Sequence, residues 1–151
     1  MSFTKSTPTL SSLQTMVTPF YKDDYASIEL DESIPCIQLT LNGIPRYSEH
    51  YNLVQSKRLE LMNQEIKKYP RLHMLTDSRT AGPVLDDDVK HFKELVMPEM
   101  EKAGVRFLAI VMPNNKFTQL TIRDMTNKTG QITVRYFDSM REARNWLKKM
   151  T

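Results

Sequence analysis

The stretch from Arg71 to Asp88 constrains this chain most. Leu72 to Thr76 reads as a short buried strand, Asp77 to Pro83 as a polar turn, and Asp86 to Asp88 as an acidic helix start. A parallel strand that feeds a helix leaves its turn at the strand's carboxyl end, where open α/β sheets place ligands and switches. The functional site is therefore expected in that turn. The aspartates suit a helix N-terminus, where each negative charge is worth ~0.3–1 kcal/mol.

The rest of the chain repeats this logic. Tyr25 to Leu30 alternates, with Ala26, Ile28 and Leu30 on one side, and Ile34 to Asn42 alternates again after a turn at Asp31 to Ser33. The two predict an antiparallel hairpin, with Pro35 at a strand start or a free edge. A helix is predicted from Tyr47 to about Lys68 on the stripe Tyr51, Val54, Leu61, Met62 and Ile66. Val89, Phe92, Val96, Met100 and Ala103 give the next helix its buried face; Pro98 must bend or split it, and Gly104 ends it. Val105 to Met112 is nearly continuous apolar, as in a strand covered on both faces. A helix over Phe117 to Asn127 should turn Phe117, Leu120 and Met125 inward. Ile132 to Phe137 alternates like a strand nearer an edge, and Ser139 can cap a last helix lined by Met140, Ala143, Leu147 and Met150.

This order, a hairpin followed by βα units, predicts an α/β domain over residues 21–151 with a five-stranded mixed sheet. Its first strand is antiparallel, its later strands are parallel, and right-handed crossovers put the helices mainly on one face. The other face then needs a lid. The Ser/Thr-rich segment 1–20, whose Leu10, Leu13, Met16, Val17 and Phe20 recur at helical spacing, is the expected cover, on its own domain or on a second copy.

Composition excludes several classes. The 21 basic residues are spread among 18 acidic ones, without the basic, aromatic-interleaved stripe of a nucleic-acid binder. A single cysteine, Cys36, leaves no internal disulfide framework or multi-cysteine zinc site. No run approaches the ~20 apolar residues of a membrane helix, and no secretory signal is readable at the N-terminus. A cytoplasmic protein that is not an integral membrane protein is expected.

Four stretches carry a family likeness: Tyr25-Ala-Ser-Ile-Glu-Leu-Asp31, Leu75-Thr-Asp-Ser-Arg79, Phe107-Leu-Ala-Ile-Val-Met-Pro113, and Val134 to Leu147 with its Phe-Asp and Glu-Ala-x-x-Trp-Leu pattern. With these residues, roughly Tyr21 to Met150 resembles the SpoIIAA-like domain of the STAS/CRAL-TRIO superfamily. The resemblance implies a non-enzymatic α/β module used for protein interaction or for holding a nucleotide or lipid. Anti-sigma-factor antagonists of the group are phosphorylated on a serine in the turn after this strand. Here the turn reads Thr76-Asp-Ser-Arg-Thr-Ala-Gly82 instead of their Asp-Ser-Ser-Gly, so that role is not carried over with the fold.

The candidate ligand- or partner-binding residues are Asp77, Ser78, Arg79 and Asn114. Arg79 could grip an anion, or Asp77 and Arg79 could simply tie the turn down. Ser78 is the candidate phosphoacceptor; its bland alternative is a hydroxyl satisfying turn backbone. His50, His73 and His91 lack a metal-ligand spacing, no nucleophile–base–orienter set is readable, and four glycines form no phosphate loop. No catalytic residue, metal or cofactor is assigned. Ten methionines, six of them (Met62, Met97, Met100, Met125, Met140 and Met150) on predicted helices, either fill core gaps or line an adaptable cleft. The expected function is a STAS-like binding or interaction module, regulatory and self-associating as a homodimer. The alternative is a carrier of a lipid or other apolar small ligand in a Met-lined cleft.

Overall fold

Strand alternation in the first third of the chain builds a hairpin with one extra edge strand. In a computed structural model, which describes residues 18–127 and 130–150, β1 (Tyr21–Lys22) pairs antiparallel with β2 (Ala26–Asp31), and β2 with β3 (Cys36–Gly43). β4 (His73–Ala81), β5 (Phe107–Val111) and β6 (Thr133–Phe137) then add in parallel, in sequence order. The sheet has six strands, not the expected five, in the order β1-β2-β3-β4-β5-β6. The extra strand has two residues, too few to show a period.

The helices are α1 (Ser48–Glu65), α2 (Asp86–His91), α3 (Met97–Ala103), α4 (Lys116–Thr126) and α5 (Met140–Lys149). A π-helical turn over Phe92–Val96 joins α2 to α3, and Pro98 accounts for it. Proline has no N–H, and its ring crowds the carbonyl four residues back; the widened turn, in which the Met97 N–H reaches the Phe92 carbonyl, relieves that crowding. Gly104 ends α3 at a φ of 112°. The Ser139 hydroxyl caps α5 by accepting the Glu142 N–H at 3.2 Å.

Two cores flank the sheet. On one face Ile28, Ile37, Leu39, Met74, Leu108 and Ile110 pack with residues of α1 to α4. On the other, Cys36, Leu75, Ala109 and Val111 pack against Ala143, Trp146 and Leu147 of α5. The helices thus lie mainly on one face, and the last covers part of the other. This corrects the expected need for a lid. Where α5 does not reach, the opposite-facing residues of β2 and β3 are polar: Ser27, Gln38 and Thr40, partly exposed, and Glu29, exposed. Phe20, half-buried, packs against the main core, whereas Leu10, Leu13, Met16 and Val17 lie outside the described residues. Phe117 and Leu120 are also corrected: they are 83% and 65% exposed. The inward face of α4 is set by Thr118, Ile122, Met125 and Thr126, at the i, i+4, i+7, i+8 spacing of one helical stripe.

Candidate functional site

At the carboxyl ends of β3, β4 and β5, a cavity of about 50 Å³ lies between the sheet and the helices. The sheet contributes Leu41, Thr76, Ser78, Leu108 and Ile110; the helices add Tyr51, Gln55, Arg58, Asp88, Ile122 and Met125. Most of this lining is apolar, which makes its charged members conspicuous. Arg58 arrives by helical spacing: Tyr51, Gln55, Arg58 and Met62 recur at i, i+4, i+7 and i+11 along α1, all four are buried, and the first three line the cavity.

Arg58 is 2% exposed. Its Nη1 donates to Thr76 Oγ1 at 3.2 Å and its Nη2 to Gln55 Oε1 at 2.8 Å. Its Nε has no acceptor, and Cζ stands 5.8 Å from the Phe92 ring centroid. Among the described residues no carboxylate forms an ion pair with it. Burial depresses its pKa to about 10, so it carries its charge at neutral pH. Taking a cation out of water with no counter-charge costs several kcal/mol.

Asp88, on the same lining, is 1% exposed, and neither carboxylate oxygen has a hydrogen-bond partner. Burial, foremost, and the charge of Asp87 raise its pKa; the Ser48 side chain and His91 pull the other way. No ion pair joins Asp88 to Arg58. The Tyr25 and Tyr51 hydroxyls, raised first by burial, feel both charges.

Two close approaches hold the rim. The Gly82 N–H donates to the Gly43 carbonyl at 2.7 Å, and a Cβ at Gly82 would stand 2.7 Å from Ile44 Cγ2. On the other side, His50 Nδ1 accepts the Arg46 N–H at 3.0 Å and its Nε2 lies 2.7 Å from Asp23 Oδ2. That pairing sets the tautomer with the ring hydrogen on Nε2. Asp23 also accepts the Tyr25 and Ala26 amides, at 2.7 and 2.8 Å, and the Tyr21 hydroxyl. Burial raises its pKa, but these bonds outweigh burial and hold it at about 2. The dyad resembles the base half of a hydrolytic triad, yet both ring nitrogens are occupied. It pins the loop between β3 and α1.

The four residues singled out from sequence do not form one site. β4 runs on to Ala81, so Asp77, Ser78 and Arg79 lie in the strand and not in a turn. A bulge there, between the pairs Thr40–Asp77 and Asn42–Thr80, keeps β4 bonded to β3. Asp77 accepts the Arg79 N–H at 3.1 Å, Nε at 2.9 Å and Nη2 at 2.8 Å, satisfying locally what a turn would otherwise satisfy. Burial raises the Asp77 pKa, and the contacts from Arg79 more than offset this. By alternation from Thr76, this pair faces away from the cavity. Ser78 does line it and is 2% exposed, so a kinase could reach its hydroxyl only if the strand opened. Asn114 is exposed between β5 and α4; its neighbour Asn115 caps α4 by accepting the Thr118 N–H at 3.0 Å.

Sequence reasoning passed over Gln55 and Arg58 and took Asp88 for a helix-start charge. The available signal was polar residues interrupting the apolar stripe of α1. Among the described residues, Met125 is the one methionine on the cavity lining; Met62, Met74 and Met100 are core.

The class this geometry defines is an α/β protein with a mixed six-stranded sheet and a charged cavity at its carboxyl edge. The chain matches no protein-family model and no curated protein. Among the described residues no helix is long and apolar enough to cross a membrane, and no three metal-ligating side chains gather.

Proposed function

We propose that this chain is a non-enzymatic, SpoIIAA-like binding module that holds a small apolar ligand with a polar head in the cavity between the sheet and α1, α2 and α4. One observation carries the reading: buried polar atoms without partners, Arg58 Nε and both Asp88 oxygens, share a cavity whose other walls are mainly apolar. Native proteins rarely leave such groups orphaned, and a concave apolar site with a few convergent polar groups is the usual form of a small-ligand pocket. The test is a methyl NMR titration of the full-length chain with hexanol and with hexanoate. Saturable shifts confined to Ile110, Ile122 and Met125 support the reading, and unmoved resonances with both probes refute it.

A second reading, a protein contact or homodimer, is favoured by exposed apolar side chains along the same edge. Ile44 (61%), Leu85 (60%), Phe117 (83%) and Leu120 (65%) are uncovered there, and exposed apolar surface of this kind marks interaction sites. Light scattering of the wild type against the double variant F117S/L120S tests it: a dimer that becomes a monomer supports it, and identical masses reject it.

A further inference from the structure

The orphaned donors at the cavity also say what the head of the ligand should be. Arginine carries five N–H donors, and Arg58 uses two, one to Thr76 and one to Gln55. The remaining three include the Nε hydrogen, on a side chain that is itself 2% exposed and lines the cavity. The Nε–H of a guanidinium and the Nη N–H beside it form a planar edge of parallel donors, which matches a flat, two-oxygen acceptor. Resting on the reading of this cavity as a ligand site, we infer that it takes a monocarboxylate with an apolar tail, the carboxylate seated on Arg58 and the tail directed along Ile122 and Met125.

Charge and size both narrow the class. Among the described residues Arg58 is the only Lys or Arg on the lining, which also holds the Asp88 carboxyl, so a ligand's first negative charge has one cation to meet and a second has none. A phosphate dianion would bring its extra charge against Leu108, Ile110 and the Asp88 carboxyl, with no further cation to receive it. A neutral alcohol would leave the guanidinium without a counter-charge in a desolvated site. The volume of about 50 Å³ equals roughly four water-sized groups. That is room for a carboxylate and the first carbon or two, so a longer tail must extend beyond the cavity.

The experiment titrates the full-length protein at pH 7 with hexanoate, hexanol and hexyl phosphate, following the methyl resonances of Ile110, Ile122 and Met125. Hexanoate is expected to saturate at a concentration at least tenfold below either competitor. In Arg58→Met that advantage should vanish while hexanol binding persists, which also shows the variant to be folded. Arg58→Lys, with charge but no fork, should keep only part of it. Hexanol or hexyl phosphate binding as tightly as hexanoate, or a hexanoate preference that survives Arg58→Met, overturns the carboxylate assignment and leaves the cavity reading standing. No response to any of the three probes removes the cavity reading itself.

Discussion

Replacing Arg58 by methionine should leave the ligand-free protein about as stable as it is now, although it deletes a fully buried charge and two hydrogen bonds. The reasoning is a balance of opposed quantities. Burial lowers the Arg58 pKa from the ordinary arginine range to about 10. At about 1.4 kcal/mol for each tenfold in proton affinity, that corresponds to ~3 kcal/mol of folding free energy given up to desolvate the cation. The sign is that of a base whose folded pKa lies below its unfolded one. Both states are protonated at neutral pH, the full cost is present there, and it eases only as pH rises past about 10. Against this, Thr76 Oγ1 and Gln55 Oε1 lose a charged donor, at ~1–2 kcal/mol each. Methionine fills much of the volume of the arginine stem, so packing changes little. The net effect should fall within ~1 kcal/mol of zero. Urea unfolding at pH 7 measures it: with a slope of ~2 kcal/mol/M, 1 kcal/mol moves the midpoint by ~0.5 M. A loss of ~3 kcal/mol or more, the cost of breaking a buried ion pair, would mean that Arg58 has an internal counter-charge in solution, and the argument for an anionic ligand would fail with it.

Asp88→Asn should stabilise the protein at pH 7, because it removes the charge whose burial raises the Asp88 pKa. Because the folded pKa of Asp88 is raised, the gain should shrink as pH falls toward the unfolded carboxylate range; a gain that grows on acidification in urea melts would contradict this. Asp23→Asn should cost ~1–2 kcal/mol at pH 7, after allowance for partial solvent screening. Its folded pKa is held at about 2, so the difference from wild type should disappear between pH 4 and pH 2. Leu147→Ala, at a fully buried position on α5, should cost ~2–5 kcal/mol. Cys36, whose thiol burial pushes up to about 12, should resist a thiol reagent in the folded protein and react at the rate of global opening; immediate reaction at pH 7 would place it at the surface.

The scaffold was legible in the sequence where a period could express itself. Ala26, Ile28 and Leu30 alternate over enough residues to fix the face of β2, and the unbroken run at Val105 to Met112 announces a strand covered on both sides. Where fewer residues carried the signal, it failed: β1 is two residues long. The α4 stripe misled because Phe117 and Leu120 are as apolar as Ile122 and Met125. Nothing local says that the first turn of that helix projects past the material it could pack on. The second face was misjudged for a related reason. Polar residues at Ser27, Glu29, Gln38 and Thr40 already mark it as tolerant of water, and α5, read only as one more crossover, covers the apolar remainder.

The site was hidden by a different circumstance. Asp77 and Arg79 attract notice as a charged pair beside a strand end, yet each satisfies the other, and a satisfied pair has little left to offer a ligand. Arg58 attracts none, because one arginine in an 18-residue helix is ordinary. It becomes informative only when the fold turns it inward without a carboxylate to meet it. Leucine at positions 55 and 58 would complete the apolar stripe of α1 and avoid ~3 kcal/mol of desolvation. The low-polarity walls that make the bare guanidinium costly are also what would strengthen its hold on an anion, since the same interaction weakens several-fold in water. Instability of the empty site and affinity of the filled one are therefore two consequences of a single burial, and a variant that relieves the first should forfeit the second.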